Sequence, residues 1–212
     1  MNGAMVYWTF KLRVKKGETV GRARWDFIQR GLFLVAVQWL WVNAAWGGFQ
    51  RLRLDHLGII ATIGLSMIVL VGMVHWAWWK RLAVAVACVL VHPALLRIPH
   101  DLDGWAHYPM QLLVTSGDFN LYPLIPWFAL ACVGSVMAHF WFTVWTDPRK
   151  PDERAHKSLL IGLVLVALGV GLRDWGHPYA TIFPHNGFFT FSFFMLQKYP
   201  PEMAHQFWFS GA

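Results

Sequence analysis

The sequence predicts an all-α integral membrane protein, a polytopic helical bundle of about six transmembrane helices with a short last helix. Hydrophobic residues make up 57% of the 212 residues and charged residues only 14%, whereas about a quarter of a typical soluble domain is charged. Apolar runs of roughly 20 residues recur, the length that a helix needs to cross a bilayer. Lysine and arginine flank these runs, so the net charge of +7 indicates membrane topology and argues against nucleic acid as a partner.

Residues 1–26 are basic and are predicted to form a cytoplasmic arm ahead of a single transmembrane domain over residues 27–212. The apolar residues of this arm alternate with polar ones in the period of a strand: Trp8, Phe10, Leu12 and Val14. A short hairpin, an extended arm on the membrane surface or on a partner, and a flexible tail all fit this pattern. No cleavable signal peptide is expected, because no short apolar core precedes a small-residue cleavage site.

Six apolar segments are the predicted spans: residues 27–46, 57–79, 82–96, 122–145, 158–172 and 188–196. The second and third follow each other so closely that they are expected to form a helical hairpin. The fourth opens with the phrase YPLIPW, whose prolines are tolerated because N–H groups in the first turn of a helix have no partner. The sixth span is short and is followed by Pro200 and Pro201.

The distribution of charge orients these spans. Basic residues collect on the side of the N-terminal arm, at Lys80, Arg81 and in the loop 146–157, whereas the polar segment 97–120 carries acidic residues. By the positive-inside rule, both termini are predicted to be cytoplasmic and residues 97–120 to form an extracytoplasmic loop. Cys88 and Cys132 fall inside apolar runs, so we expect buried thiols and neither a disulfide nor a metal site.

Four phrases follow one another along the chain: RGLFLVAVQWLWV at 30–42, IGLSMIVLVG at 63–72, YPLIPWFALACVG at 122–134 and LQKYPPEMAH at 196–205. Together they resemble bacterial relatives of heparan-alpha-glucosaminide N-acetyltransferase. The resemblance implies a bacterial inner-membrane location and transfer of an acyl group from acyl-CoA to an extracytoplasmic acceptor. That family's N-terminal catalytic module, with an exposed histidine that takes the acyl group, is not recognised in this sequence. The resemblance is therefore to the central part of the family's fold.

The segment 97–120 carries the candidate acid–base residues for such a transfer: His100, Asp101, Asp103 and His107. A carboxylate beside an imidazole holds its tautomer and raises its basicity, as a general base requires. The alternative is an ordinary solvated loop. Three other histidines are predicted on the same side of the membrane: His56, His177 and His185.

His75 and His139 are predicted near the cytoplasmic ends of the second and fourth spans. Two facing imidazoles at one depth can ligate a haem iron, and one imidazole can ligate the magnesium of a chlorophyll-type pigment. The alternative is a hydrogen bond from each histidine to a neighbouring helix or to lipid headgroups. Contacts with lipid, haem or pigment are therefore the cofactor hypotheses.

Three functions stay open at this point. The absence of the catalytic module favours a non-catalytic, acyltransferase-like accessory or scaffold subunit of a larger membrane complex, of respiratory or photosynthetic reaction-centre type. Its expected partners are membrane lipids and other integral membrane subunits, contacted through residues 1–26 and 97–120. The alternatives are a membrane acyltransferase that uses acyl-CoA and a b-type haem anchor.

Overall fold

The computed structural model describes residues 2–49, 56–97, 104–105, 107–146, 151–175 and 201–211. Within these ranges the chain forms nine α-helices and no strand: α1 (Asn2–Lys15), α2 (Val20–Val37), α3 (Asn43–Trp46), α4 (Ile59–Met73), α5 (Trp78–Leu95), α6 (His107–Leu113), α7 (Leu124–His139), α8 (Pro151–Trp175) and α9 (Met203–Gly211). Two π-helical segments, Gln38–Val42 and Phe140–Val144, join α2 to α3 and extend α7. The predicted all-α fold is confirmed.

Among the described helices, three are long and apolar enough to cross a membrane: Trp78–Leu95, Leu124–Val144 and Asp152–Trp175. A fourth apolar helix, α4, is shorter, with 15 residues. The continuous run from α2 through α3 covers the first predicted span. These helices are those of a multi-pass membrane protein, as predicted. The predicted sixth span, residues 188–196, lies outside the described residues.

Helix α1 occupies the stretch whose alternating apolar residues predicted a strand, and that prediction is wrong. Val6, Tyr7 and Phe10 share one helical face and are at most 3% exposed, because they join the core formed with α4 and α7. The approach to α7 is so close that a side chain at Gly3 would overlap the Ala131 carbonyl oxygen. Tertiary burial of a helical face outweighs a two-residue alternation that is too short to decide the structure by itself.

A charged cluster joins the end of α1 to the start of α2. Arg13 donates from Nε to Glu18 at 2.6 Å and from Nη2 to Glu18 at 2.9 Å, and its Nη2 also donates to Asp26. This hydrogen bond from Arg13 holds the pKa of the Asp26 carboxyl below its ordinary value. Thr19 caps α2 by accepting a hydrogen bond from the Arg22 N–H. These contacts fix the turn between the two helices.

Helices α2 and α4 pack through two glycines. A Cβ atom on Gly31 would lie 2.7 Å from the Gly64 carbonyl oxygen, and one on Gly64 would lie 2.5 Å from the Gly31 carbonyl oxygen. Small residues allow membrane helices to approach this closely, and van der Waals packing then holds them together. The crossing fixes the position of α2 relative to α4 and so sets the position of the π segment that follows α2.

A buried arginine links α5 to α1 and α7. Arg81 is 1% exposed; its Nη1 donates to the Ser135 carbonyl oxygen at 3.0 Å, and its guanidinium carbon lies 4.4 Å from the centre of the Tyr7 ring. The carbonyl and the face of the ring both stabilise the cation. Arg81, expected from the sequence to flank a span, thus packs inside the bundle.

Candidate functional site

The π segment between α2 and α3 places two amide side chains inside the bundle. Gln38 and Asn43 are each 3% exposed. Gln38 Nε2 donates to Asn43 Oδ1 at 2.9 Å, and Asn43 Nδ2 donates to the His56 carbonyl oxygen at 2.7 Å. These two bonds fix the orientation of the Asn43 amide, because its oxygen accepts and its nitrogen donates. Inserted π turns of this kind occur often at functional sites.

His56 is half-buried and has a defined tautomer. Its Nδ1 lies 2.8 Å from the Asp118 carbonyl oxygen. A carbonyl oxygen only accepts hydrogen bonds, so Nδ1 carries the hydrogen and Nε2 of the neutral ring carries the lone pair. The adjacent backbone holds this arrangement, since the Leu57 N–H donates to the Phe119 carbonyl oxygen at 2.6 Å.

A cavity of about 400 Å³ opens beside this network, within the size range of ligand pockets. Its lining combines polar and apolar side chains from the π segment, α3, the residues just before α4, the start of α4 and the segment before α7: Gln38, Val42, Asn43, Trp46, His56, Gly58, Ile59, Ile60, Leu121 and Tyr122. Gly58 lets the Gln38 amide pack directly against its backbone, because a Cβ atom there would lie 2.6 Å from Gln38 Nε2. The cavity therefore brings an imidazole with a basic nitrogen together with two buried amides.

A family model described as heparan-alpha-glucosaminide N-acetyltransferase, catalytic, matches residues 8–169. The chain belongs to this family. The matched residues include every residue that lines the cavity, and they contain three of the four phrases on which the predicted resemblance rested. That resemblance is confirmed. Searches of curated proteins and of solved structures give no match.

The predicted acid–base candidate His107 contacts Gln111, and Gln111 holds the loop before α7. Gln111 Oε1 accepts hydrogen bonds from the N–H groups of Phe119 and Asn120, at 2.8 and 3.3 Å. The amide nitrogen of Gln111 is therefore the donor to His107 Nε2, which lies 3.0 Å away. The basic nitrogen of His107 is thus engaged inside the protein. The other members of that predicted cluster, His100, Asp101 and Asp103, lie outside the described residues.

His75 and His139, the predicted haem or pigment ligands, each make a hydrogen bond to a side chain of another helix. Arg24 Nη2 donates to His75 Nδ1 at 2.8 Å, and the Tyr7 hydroxyl lies 2.8 Å from His139 Nδ1. Both contacts occur on Nδ1, so coordination of a cofactor through Nε2 of either histidine stays a prediction.

From the sequence, His56 was predicted only as one of several histidines on one side of the membrane. The signal that could have selected it is the pair Gln38 and Asn43, two amides near the end of an otherwise apolar span. Polar residues inside a membrane helix tend to face a cavity or a partner. Gly58, two residues after the histidine, is the second signal, because glycine permits close approach of another chain segment.

Proposed function

We propose that this membrane protein transfers an acyl group from acyl-CoA to a hydroxyl or amino acceptor at the cavity beside His56. The observation that carries the proposal is the hydrogen bond from His56 Nδ1 to the Asp118 carbonyl oxygen. It leaves the lone pair of the neutral ring on Nε2, in a histidine that lines a cavity of suitable size. Membership of an acyltransferase family supports the same reaction class.

The reaction needs a group that handles one proton, and Nε2 supplies it in either of two ways. As a general base, Nε2 takes the proton of the acceptor while the acceptor attacks the thioester carbon, and the proton then leaves with the CoA thiol. As a nucleophile, Nε2 attacks the thioester and releases the CoA thiolate, which takes up a proton. The acceptor then displaces the ring from the acyl-imidazole and gives up its own proton.

Asn43 and Gln38 act as positioning residues in this proposal. Asn43 holds the backbone of His56 through the His56 carbonyl oxygen, and Gln38 holds Asn43. The chain of bonds connects the π segment of one helix to the loop that carries the histidine. Loss of either amide is expected to misplace the imidazole without changing its chemistry.

The test uses the purified chain in liposomes with labelled acetyl-CoA and glucosamine as probes. Removing a general base typically costs a factor of about 100 to 10,000 in rate, so His56→Gln is expected to lose at least about 100-fold in transfer. His75→Gln is the matched control, because His75 bonds to Arg24 at a different helix end from the cavity beside His56. A labelled acyl group retained on the wild type and absent from His56→Gln would favour the nucleophile form. Equal transfer by wild type and His56→Gln would exclude the proposal.

A non-catalytic accessory subunit of a larger membrane complex is the second candidate. It is favoured by α8, since only 6% of the apolar 18-residue window within Asp152–Trp175 is buried within the chain, and by Trp105, which is 85% exposed within the 97–120 segment. Gentle detergent extraction from the native membrane, a sizing column and an absorption spectrum test it. Co-migration with a large haem- or pigment-containing respiratory or photosynthetic assembly would support it. A colourless monomer or homodimer would exclude it and, by lacking a Soret band, the haem anchor as well.

A further inference from the structure

Two successive peptide groups of the loop before α7 contact His56 and its neighbour through their carbonyl oxygens. The Asp118 carbonyl oxygen lies 2.8 Å from His56 Nδ1, and the Phe119 carbonyl oxygen accepts a hydrogen bond from the Leu57 N–H at 2.6 Å. Leu57 and Asn120 form a parallel bridge at this point. The position of the imidazole therefore depends on the direction in which these two carbonyl groups point.

The N–H groups of the same two peptide groups point to one side-chain oxygen. The peptide group that carries the Asp118 oxygen also carries the Phe119 nitrogen, which donates to Gln111 Oε1 at 2.8 Å. The next peptide group carries the Asn120 nitrogen, which donates to the same oxygen at 3.3 Å. A trans peptide group is planar, so its N–H and C=O point in opposite directions. With both N–H groups held on Gln111, both carbonyl oxygens face the segment that contains His56.

Gln111 is held as an acceptor of fixed orientation. It lies on α6, is 5% exposed, and donates from its amide nitrogen to His107 Nε2 at 3.0 Å. Asn120 is fully buried and ties the loop back to α6, because its Nδ2 donates to the Gln111 carbonyl oxygen at 3.3 Å. A Cβ atom on Gly117 would overlap the Gln111 amide nitrogen, so glycine at this position lets the loop approach the amide.

We propose that Gln111 is a positioning residue that sets the tautomer of His56 through the peptide group between Asp118 and Phe119. This peptide group accepts from His56 Nδ1 and donates to Gln111 Oε1, and hydrogen bonds in such a chain polarise and strengthen one another. An imidazole without such an acceptor prefers its hydrogen on Nε2, whereas the proposed acyl transfer needs the lone pair on that nitrogen. The effect of Gln111 on transfer rests on the proposed function, and its effect on the tautomer rests on the geometry alone.

NMR of labelled ring nitrogens measures the tautomer in the full chain in liposomes, in alkaline buffer that keeps imidazole neutral. The spectrum of His56→Gln identifies the His56 signals among those of the 10 histidines. The wild type is expected to carry the hydrogen on Nδ1. Gln111→Leu removes the acceptor and is expected to shift the tautomer equilibrium toward Nε2–H by about tenfold, the effect of one hydrogen bond. Gln111→Glu keeps an acceptor oxygen and is expected to retain the Nδ1–H form.

The kinetics of the same variants separate positioning from a merely structural role. Gln111 does not line the cavity beside His56, so Gln111→Leu is expected to leave the KM for glucosamine nearly unchanged. Its kcat for transfer from labelled acetyl-CoA should fall by about tenfold, in step with the tautomer. Gln111→Glu is expected to restore kcat, which a general loss of stability in both variants would not do.

Hydrogen on Nε2 of His56 in the wild type would overturn the proposal, as would an unchanged tautomer in Gln111→Leu or the same tautomer in Gln111→Glu as in Gln111→Leu. If Gln111→Leu does not fold, Gly117→Ala provides the same test, because its methyl group displaces only the flexible end of the Gln111 side chain. A tautomer that shifts as expected, with equal transfer by His56→Gln and the wild type, would refute the proposed function and leave the role of Gln111 intact. An unchanged tautomer, with transfer lost in His56→Gln, would refute the role of Gln111 alone.

Discussion

Replacing Gly64 by alanine is expected to push α2 and α4 apart, although it adds only one methyl group. The new Cβ atom would lie 2.5 Å from the Gly31 carbonyl oxygen, whereas ordinary van der Waals contacts begin near 3.4 Å. A backbone carbonyl cannot rotate out of the way as a flexible side chain can. The helices must therefore separate by about 1 Å, and the loss of tight packing follows.

The magnitude follows from two opposing effects. Overpacking of a well-packed contact costs about 1–3 kcal/mol, and alanine returns about 0.5–1 kcal/mol because glycine is the poorer helix former. The net expectation is a loss of about 1–2 kcal/mol in the free energy of unfolding. The separation should also shift the π segment, since Gln38 follows Gly31 by seven residues and thus lies about 10 Å further along the helix.

Gly72→Ala provides the matched control in the same helix. No atom lies within 4 Å of a Cβ built there, so this variant should be neutral or gain up to about 1 kcal/mol. Unfolding in mixed micelles, followed by the fluorescence of the 14 tryptophans, measures both. If Gly64→Ala were as stable as Gly72→Ala, the close glycine contact would not control the α2–α4 packing.

Two further substitutions test the site and the turn that precedes it. Gly58→Ala should displace the Gln38 amide and lower the free energy of unfolding by about 1 kcal/mol, because a hydrogen bond is lost. The control is Gly21→Ala, where the added Cβ meets nothing within 4 Å. Equal stability of the two variants would contradict the contact between Gly58 and Gln38. Asp26→Asn should lower the free energy of unfolding at pH 7. Folding lowers the pKa of the Asp26 carboxyl, so the charged carboxylate stabilises the fold above the ordinary carboxyl pKa. This stabilisation is lost as the pH falls through the lower pKa of the folded state. Between pH 7 and pH 3, the difference in free energy of unfolding between Asp26→Asn and the wild type should shrink. A difference that stays constant with pH would refute the charged interaction with Arg13.

Apolar length and flanking charge were enough to predict the bundle, because both depend on the bilayer and not on tertiary contacts. The hydrophobic runs at 82–96, 122–145 and 158–172 correspond to α5, to α7 with its extension and to α8. The alternation from Trp8 to Val14 wrongly indicated a strand, because the helical character of this stretch depends on burial against α7. Its sequence carries both a two-residue alternation and a helical face, and only the packing decides between them.

The candidate site was harder to predict because it is assembled from distant segments. Asn43 and His56 are 13 residues apart, and His56 and Asp118 are 62 apart. A search for acid–base groups in a sequence favours neighbours in the chain, as it favoured His100 with Asp101. Here the partner that sets the tautomer of His56 is a backbone carbonyl, which no side-chain pattern records.

The buried amides also bear on the choice between an enzyme and a scaffold. Gln38 and Asn43 are almost wholly buried, and removing amides from water costs free energy unless each is hydrogen-bonded. A helix end that served only for packing would be as stable with apolar residues of similar volume. Here the amides instead form a connected chain that ends at the loop carrying His56, beside a cavity open to a ligand. Such a chain is useful where an imidazole must be held in one position, which is what acyl transfer requires and membrane anchoring does not.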